Sequence, residues 1–405
     1  MMTLSEELTW RGFVNQTTYD DISVLDGAPI SFYWGVDPSA SSMTIGNFAA
    51  AMMVRHFIDH GHRAYLLVGG ATGLIGDPDG KKEERDTKTL EEIERNKQAI
   101  AAQYKTAFAG QEFTLVDNYD WFKDMTYIDF LRTVGKHVPL SNMLGRDFIQ
   151  SRLGEGGSGI SYAEFSYSLI QGYDFLHLFK EHGVTLQVCG ADQWGNSITG
   201  VDLIRRSEGA EAHVYSTPLV INKATGVKFG KSEGGAIWLD PALTSVYKFY
   251  QFWLNLDDGG VIDYLKIYTL LPKEEIEAIA ERHGTNPSAR EAQKTLAREV
   301  TTLVHGRERC DSVVRVTDVL FGGAEFAGLQ SDDLDALAGE IPTTAPGKNL
   351  VEILVDTNVA ASNGDARRLI ESGAISVNSS KVSEDQTVNQ LSLVKKGKNT
   401  FVLIR

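Results

Sequence analysis

The chain has 405 residues, 42 % of them apolar and 23 % charged, ordinary globular usage that excludes a wholly disordered, collagen-like or coiled-coil chain. No window reaches the ~18 consecutive apolar residues of a membrane span, the acidic start MMTLSEELTW is unlike a secretory signal, and two cysteines cannot form a disulfide framework; a soluble cytoplasmic protein is expected. The net charge of −15 argues against nucleic acid only until it is divided, because residues 347–405 carry +2 and the rest −17, and a local basic face matters more to RNA than the total does.

In chain order, Tyr33-Trp34-Gly35-Val36-Asp37-Pro38-Ser39 reads as strand and turn, and Met43-Thr44-Ile45-Gly46-Asn47 leads into a helix over 48–60. The free N–H groups and dipole of such a helix start suit a phosphate. Gly46 lets a flat ligand lie against the main chain. Residues 64–68 (AYLLV) read as a strand, and four glycines (69, 70, 73 and 76) follow within eight residues. That is costly in backbone entropy unless the chain turns tightly or meets a ligand. The spacing is neither GxGxxG nor the Walker pattern. Lys81, Lys82 and Arg85 come next, on a basic loop usable on a polyphosphate.

A helix over 89–108 opens with Thr-Leu-Glu-Glu, resembling a capping box, and 113–116 is a strand. The long helical stretch 161–179 places Tyr167, Gln171 and Asp174 on one face. A polar stripe flanked by Phe165, Leu169, Phe175 and Leu178 needs partners. These are either a structural network or a bound polar ligand. Strand 184–188 runs into Cys189-Gly190-Ala191-Asp192-Gln193-Trp194-Gly195-Asn196, where Asp192 can cap a helix or accept from a ribose or amine. A strand-like run at 218–221 precedes Lys228-Phe229-Gly230-Lys231-Ser232, whose two lysines can clamp a leaving pyrophosphate.

Strand–helix alternation predicts an α/β, doubly wound parallel-sheet (Rossmann-like) domain over 1–238. Its ligands belong at the carboxyl ends of the strands. Residues 239–330 read as an all-α domain. Pro342 and Pro346 mark 331–346 as a linker. Residues 347–405 read helix, helix, turn, strand, loop, strand, a small α+β domain.

The strings GGATGLIGDP, EFSYSLIQGYDF, ADQWGN and KFGKSEGGAIWLD, in this order and spacing, resemble bacterial tyrosyl-tRNA synthetases of class I. The resemblance continues through 245–253 and into the tail. There 363–370 and 373–378 are similar to an RNA-binding domain named after a ribosomal small-subunit protein. It implies a ligase that activates L-tyrosine with ATP and passes it to tRNA(Tyr), as a homodimer, with magnesium accompanying ATP and no dedicated protein site for a metal.

By the same resemblance, Thr44 and Asn47 stand at the two histidine positions of the "HIGH" motif. Lys228, Lys231 and Ser232 stand in the "KMSKS" loop, and Lys81 and Arg85 on a second loop that closes over pyrophosphate. ATP would meet Gly35, Asp37, Ser39, Gly46, Gly190, Asp192 and Ile221, with Asp192 on the ribose. Tyr33 and Asp174 would bind the tyrosine phenol, and Asp77, Tyr167 and Gln171 the ammonium, with Thr72 and Gln193 beside them. Arg367, Arg368, Lys395, Lys396 and Lys398 would face RNA phosphates. A buried phenol-binding pair rejects phenylalanine strongly; tyrosyl-tRNA synthetases are themselves the standard case, at ~10⁵ without editing.

Thr44 departs from the motif, being shorter than histidine and never cationic. Trp34, Ser39 and Ala191 also depart from the usual residues. These departures bear on the rate of adenylation and keep open an RNA-binding paralogue that has lost it. A nucleotidyl transferase with another acceptor and a tryptophan-specific relative are further alternatives, although an indole offers the Tyr33/Asp174 pair only one N–H.

Overall fold

The computed structural model describes residues 2–78, 88–154, 156–223, 225–232 and 235–405, and at 147, 148, 231 and 232 the main chain alone. Helix α1 (Leu4–Arg11) begins on a Thr3 capping box and ends on left-handed Gly12. Strands β1 (Gln16–Thr17) and β2 (Ser31–Val36) follow. Helix α2 (Ile45–Asp59) is capped by Thr44 and buries Ile45, Phe48, Met52 and Met53. Then come β3 (Arg63–Val68), α3 (Thr72–Ile75), α4 (Leu90–Ala107) and β4 (Phe113–Asp117). Thr89 caps α4 by accepting from the Glu92 N–H.

Four short helices that the sequence reading did not single out come next: α5 (Tyr119–Phe122), α6 (Tyr127–Thr133), α7 (Leu140–Leu144) and α8 (Asp147–Leu153). The long α9 (Tyr162–His182) follows, then β5 (Leu186–Gly190), α10 (Trp194–Glu208) and β6 (His213–Thr217). A two-stranded turn, β7 (Lys231–Ser232) with β8 (Gly235–Ala236), closes the α/β part.

The main sheet has the order β1-β6-β5-β2-β3-β4. All neighbours are parallel except the β1–β6 edge pair, as the doubly wound expectation requires. From β2 the chain winds outward to β3 and β4, then returns to β5 and β6 on the other side. β2 and β5 pair only at Phe32↔Leu186 and Tyr33↔Gln187. They part at the switch point, where ligands of such sheets bind. The expected strand at 218–221 is reduced to a single bridge, Ile221↔Lys228. Pro218 has no N–H to give a ladder, and the strand of this stretch is β6 instead.

Residues up to Thr244, with Leu254–Val300, form one compact unit; Ser245–Trp253 and Thr301–Arg405 form a second. The helices of the stretch 239–330 are α11 (Val246–Leu254), α12 (Val261–Tyr268), α13 (Lys273–Thr285), α14 (Glu291–His305) and α15 (Arg307–Thr317). They are divided between the two units. Within the first unit, buried Arg11 donates to the carbonyls of Lys266, Thr269 and Leu271 at 2.8, 3.0 and 2.9 Å. It thereby satisfies groups that the end of α12 leaves without helical partners.

In the second unit, the stretch expected to be a linker contains α16 (Ser331–Ala338) and β9 (Thr343–Thr344). Asp333 is fully buried, accepts the Gln330 N–H at 3.0 Å and takes two bonds from Arg315 at 2.8 Å. Leu337 is buried as well. The segment is therefore folded, and only its prolines read as linker. The tail comprises β10 (Lys348–Asn349), α17 (Leu350–Asp356), α18 (Asn363–Glu371), β11 (Ile375–Val377), β12 (Ser380–Lys381), β13 (Thr387–Val388), β14 (Ser392–Lys396) and β15 (Thr400–Ile404). Leu350, Ile353, Leu354 and Ile370 pack against Ile375, Val394 and Val402 of the sheet β12-β11-β14-β15-β9. Among the described residues no helix is long and apolar enough to cross a membrane.

Candidate active site

A cavity of about 330 Å³ opens where β2 and β5 part, lined by residues of both strands, the start of α2, the face of α9 and the loop around Lys228. One end is built around Asp174, which is 2 % exposed. Its Oδ1 accepts the Trp121 indole N–H at 2.9 Å and its Oδ2 an Asn118 amide N–H at 3.1 Å. Burial pushes this carboxyl well above its ordinary pKa, and the two donors pull the other way. Tyr33, also 2 % exposed, packs its ring 5.3 Å from Phe175. Burial, then the charge of Asp174, raises its pKa, so the phenol keeps its proton. The Tyr33 hydroxyl is buried without a hydrogen-bond partner among the described residues. Such a group is expensive unless something else satisfies it.

Above this end sits a second carboxylate, Asp37. Its Oδ1 accepts the Thr72 hydroxyl at 2.6 Å and its Oδ2 the Tyr167 hydroxyl at 2.7 Å. The glycine turn after β3 makes this closeness possible. A Cβ on Gly69 would lie 2.1 Å from Thr72 Oγ1 and 2.3 Å from Asp37 Oδ1. Asn118 accepts the Ala71 N–H at 2.7 Å and donates to Thr72 at 3.0 Å, tying the turn to Asp174. Asp77 Oδ2 accepts from Gln193 Nε2 at 2.5 Å. Gln171 lines the cavity one turn from Tyr167 and Asp174, as the stripe on α9 predicts.

The other end belongs to the α2 start and the lysine loop. The Ile45 N–H donates to Ile237 O at 3.0 Å, Leu239 N–H to Met43 O at 2.9 Å, and Ile237 N–H to Gly230 O at 2.9 Å. Gly230 has φ of +87°, and a Cβ there would sit 2.6 Å from Ile45 Cγ1. Two segments nearly two hundred residues apart thus close on each other through main chain. Lys228 Nζ pairs with Asp192 Oδ2 at 3.2 Å, both partly exposed.

The structure brings most of the residues expected from the sequence into this one cavity. Tyr33, Gly35, Asp37, Ser39, Thr44, Gly46, Asn47, Thr72, Asp77, Tyr167, Gln171, Asp174, Gly190, Asp192, Gln193 and Lys228 all line it. Ile221 does not; it is 43 % exposed, and its neighbours Leu219 and Val220 take the lining positions. Lys81 and Arg85 lie outside the described residues, and Lys231 and Ser232 are described as main chain alone. Asn118 and Trp121 escape sequence reasoning, since they lie 56 and 53 residues from the carboxylate they hold.

In the tail, Arg367 and Arg368 are exposed on α18, with Arg368 3.3 Å from Asp365. Lys395 donates to Leu320 O at 3.2 Å and lies 5.1 Å over the Phe401 ring. Lys396 donates to Val359 O at 2.7 Å. These two ammonium groups are half-buried and bonded within the unit, and only Lys398 of the three lysines is exposed.

The family described as tRNA synthetases class I (W and Y) matches residues 25–322, and a tyrosine–tRNA ligase SYY-like C-terminal domain matches 333–405. A tyrosine–tRNA ligase 2 of Bacillus cereus is 43 % identical over the whole of both chains. A tyrosine–tRNA ligase 1 of Enterococcus faecalis is 42 % identical, covering all of this chain and 99 % of that one. The crystal structure of a C-terminally truncated mitochondrial tyrosyl-tRNA synthetase of Aspergillus nidulans superposes with a TM-score of 0.71 at 30 % identity, covering 79 % of this chain and 95 % of that one. The two matched segments lie in the order the cavity and the tail require, and the chain belongs to the tyrosyl-tRNA synthetases of class I.

Proposed function

We propose that the chain is a tyrosine–tRNA ligase whose cavity binds the tyrosine phenol between Tyr33 and Asp174. The carrying observation is the buried, partnerless Tyr33 hydroxyl beside a buried carboxylate in one cavity. A phenol satisfies both at once, donating its proton to Asp174 and accepting one from Tyr33. Tyr167 has given its only proton to Asp37, so its oxygen accepts from the substrate ammonium. Asp77 and Gln171 complete that end, with Thr72 and Gln193 holding the carboxylates in place.

ATP occupies the other end, against Gly35, Asp37, Ser39, Gly46 and Gly190, with its ribose on Asp192. The tyrosine carboxylate attacks the α-phosphorus, the bond to pyrophosphate breaks, and tyrosyl-adenylate forms. No covalent enzyme intermediate is involved, and the work is positioning and charge stabilisation. Lys228 exchanges Asp192 for phosphate oxygens, joined by Lys231 and Ser232 and by Lys81 and Arg85. The tyrosyl group then passes to the 3′-terminal ribose of tRNA(Tyr). Arg367, Arg368 and Lys398 meet RNA phosphates, while Lys395 and Lys396 brace the tail. Magnesium would enter bound to the phosphates of ATP.

The enzyme works in the cytoplasm as a homodimer. The supporting observation is the number of exposed apolar side chains on α6, α7, α8 and the start of α9, of which Tyr127 and Tyr162 meet through their hydroxyls at 3.3 Å. Tyr127, Ile128, Leu140, Leu153 and Tyr162 are 51–62 % exposed, more than scattered surface residues require. Leu153→Glu with Ile128→Glu should give a monomer in sedimentation; an unchanged dimer would move the interface elsewhere. The activity itself is tested by tyrosine-dependent exchange of labelled pyrophosphate into ATP, followed by charging of tRNA(Tyr). Exchange with tryptophan but not tyrosine would overturn the specificity. Binding of tRNA with no exchange would establish the adenylation-deficient alternative, which full-length identity to ligases does not favour.

A further inference from the structure

Thr44 and Asn47 form a closed pair at the start of α2. The Thr44 N–H donates to Asn47 Oδ1 at 3.0 Å, the Thr44 hydroxyl donates to the same oxygen at 2.9 Å, and the Asn47 N–H donates back to Thr44 Oγ1 at 3.4 Å. A backbone N–H can only donate, so the side-chain atom facing it is the amide oxygen and not the nitrogen. The orientation of the Asn47 amide is therefore determined by the main chain. A threonine hydroxyl has one proton. Thr44 gives it to Asn47 and has none left for a phosphate.

Both residues line the cavity, beside Gly46, Asp192 and Lys228. With Oδ1 held twice, Nδ2 is the remaining polar group of the Asn47 side chain. It has no hydrogen-bond partner among the described residues and is not among the buried unsatisfied atoms. It carries two N–H donors toward a site whose substrate is rich in acceptor oxygens.

We infer that Thr44 is a positioning residue, whose hydroxyl locks the Asn47 amide so that its Nδ2 donors face an acceptor oxygen of bound ATP. This rests on the proposed reading of the cavity as the adenylation site. At the first position of the motif the chain thus has no side chain that reaches the nucleotide itself. It has one that aims its neighbour three residues on, through the same bonds that cap the helix.

The test is a double-mutant cycle on Thr44→Val and Asn47→Ala, read by tyrosine-dependent pyrophosphate exchange with kcat and the KM for ATP and for tyrosine taken separately. Valine keeps the shape of threonine and removes the hydroxyl. Each single variant should lose roughly tenfold in kcat/KM for ATP, about one oriented hydrogen bond, with the KM for tyrosine moved less than twofold. The double variant should lose no more than Asn47→Ala alone, because there is no amide left to aim. Thr44→Ser should recover most of what Thr44→Val loses. Unaltered tyrosine binding by each variant separates these effects from misfolding. Losses that multiply in the double variant, or no loss in Thr44→Val, would overturn the positioning role while leaving the site intact. No exchange by the unaltered protein would overturn the reading of the site and this inference with it.

Discussion

Trp121→Phe removes one N–H from the site and little else. The indole donates to Asp174 Oδ1 at 2.9 Å and stacks on His177 with ring centres 4.4 Å apart and planes 21° from parallel. Phenylalanine preserves an aromatic face for His177 and deletes the donor. A hydrogen bond to an ionised group contributes about 1.5–3 kcal/mol, or roughly ten- to a hundredfold in affinity. Asn118 still holds Oδ2, so the lower half of that range is expected in the KM for tyrosine. The KM for ATP should stay within about twofold, because the other end of the cavity is untouched. The pH dependence gives a second reading. Burial raises the Asp174 pKa and its two donors lower it. With one donor gone the pKa rises further, and the ionised acceptor is lost sooner on acidification. The acid limb of tyrosine binding should therefore move to higher pH. Exchange kinetics across pH would show both effects. Equal losses toward tyrosine and ATP, or an acid limb that stays where it was, would refute the account of Asp174.

Tyr33→Phe deletes a buried hydroxyl with no partner among the described residues. The unliganded protein should lose no stability and can gain up to about 1 kcal/mol, while tyrosine affinity falls roughly tenfold; melts with and without tyrosine check both, and a clearly lowered unliganded Tm would show that the hydroxyl already had a partner. His56 is pushed down to about 3, first by burial and then by Arg11, His60 and Arg55. Glu7 Oε1 lies 3.4 Å from its Nδ1, but Arg11 Nε holds that same oxygen at 2.9 Å, so burial prevails. The unfolded imidazole takes its proton near pH 6.5 and the folded one does not, so stability is complete above pH 6.5 and falls on acidification by about 1.4 kcal/mol per unit. That amounts to about 2 kcal/mol at pH 5; His56→Leu should flatten the fall in Tm between pH 7 and 5, and a slope as steep as the parent's would refute it.

The cavity was legible where chemistry follows local pattern. Tyr167, Gln171 and Asp174 are one helical face, and their polarity within an apolar segment marks them without knowledge of the fold. The glycines after β3 likewise announce a close approach, which proves to be that of Thr72 to Asp37. Asn118 and Trp121 carry no such mark, because an asparagine and a tryptophan after a strand are ordinary, and only the sheet order brings them to Asp174. Lys395 and Lys396 mislead for a related reason. Charge is read from sequence as exposure, yet a lysine stem can lie along the fold and spend its ammonium on a carbonyl. The segment 331–346 misleads through its prolines, since what folds α16 is a distant arginine beneath it.

After Tyr33 and Gln187 β2 and β5 no longer pair, and the residues that follow on both strands line the cavity. A flat ligand entering there can occupy the gap as a short length of strand would, bonding to main chain on either side. Peptide groups are common to every residue but proline, so this share of recognition passes unchanged through substitutions such as Trp34 and Ala191. On the proposed reading of the cavity, the side chains around the nucleotide can then differ while the main chain of the sheet still contributes the same bonds.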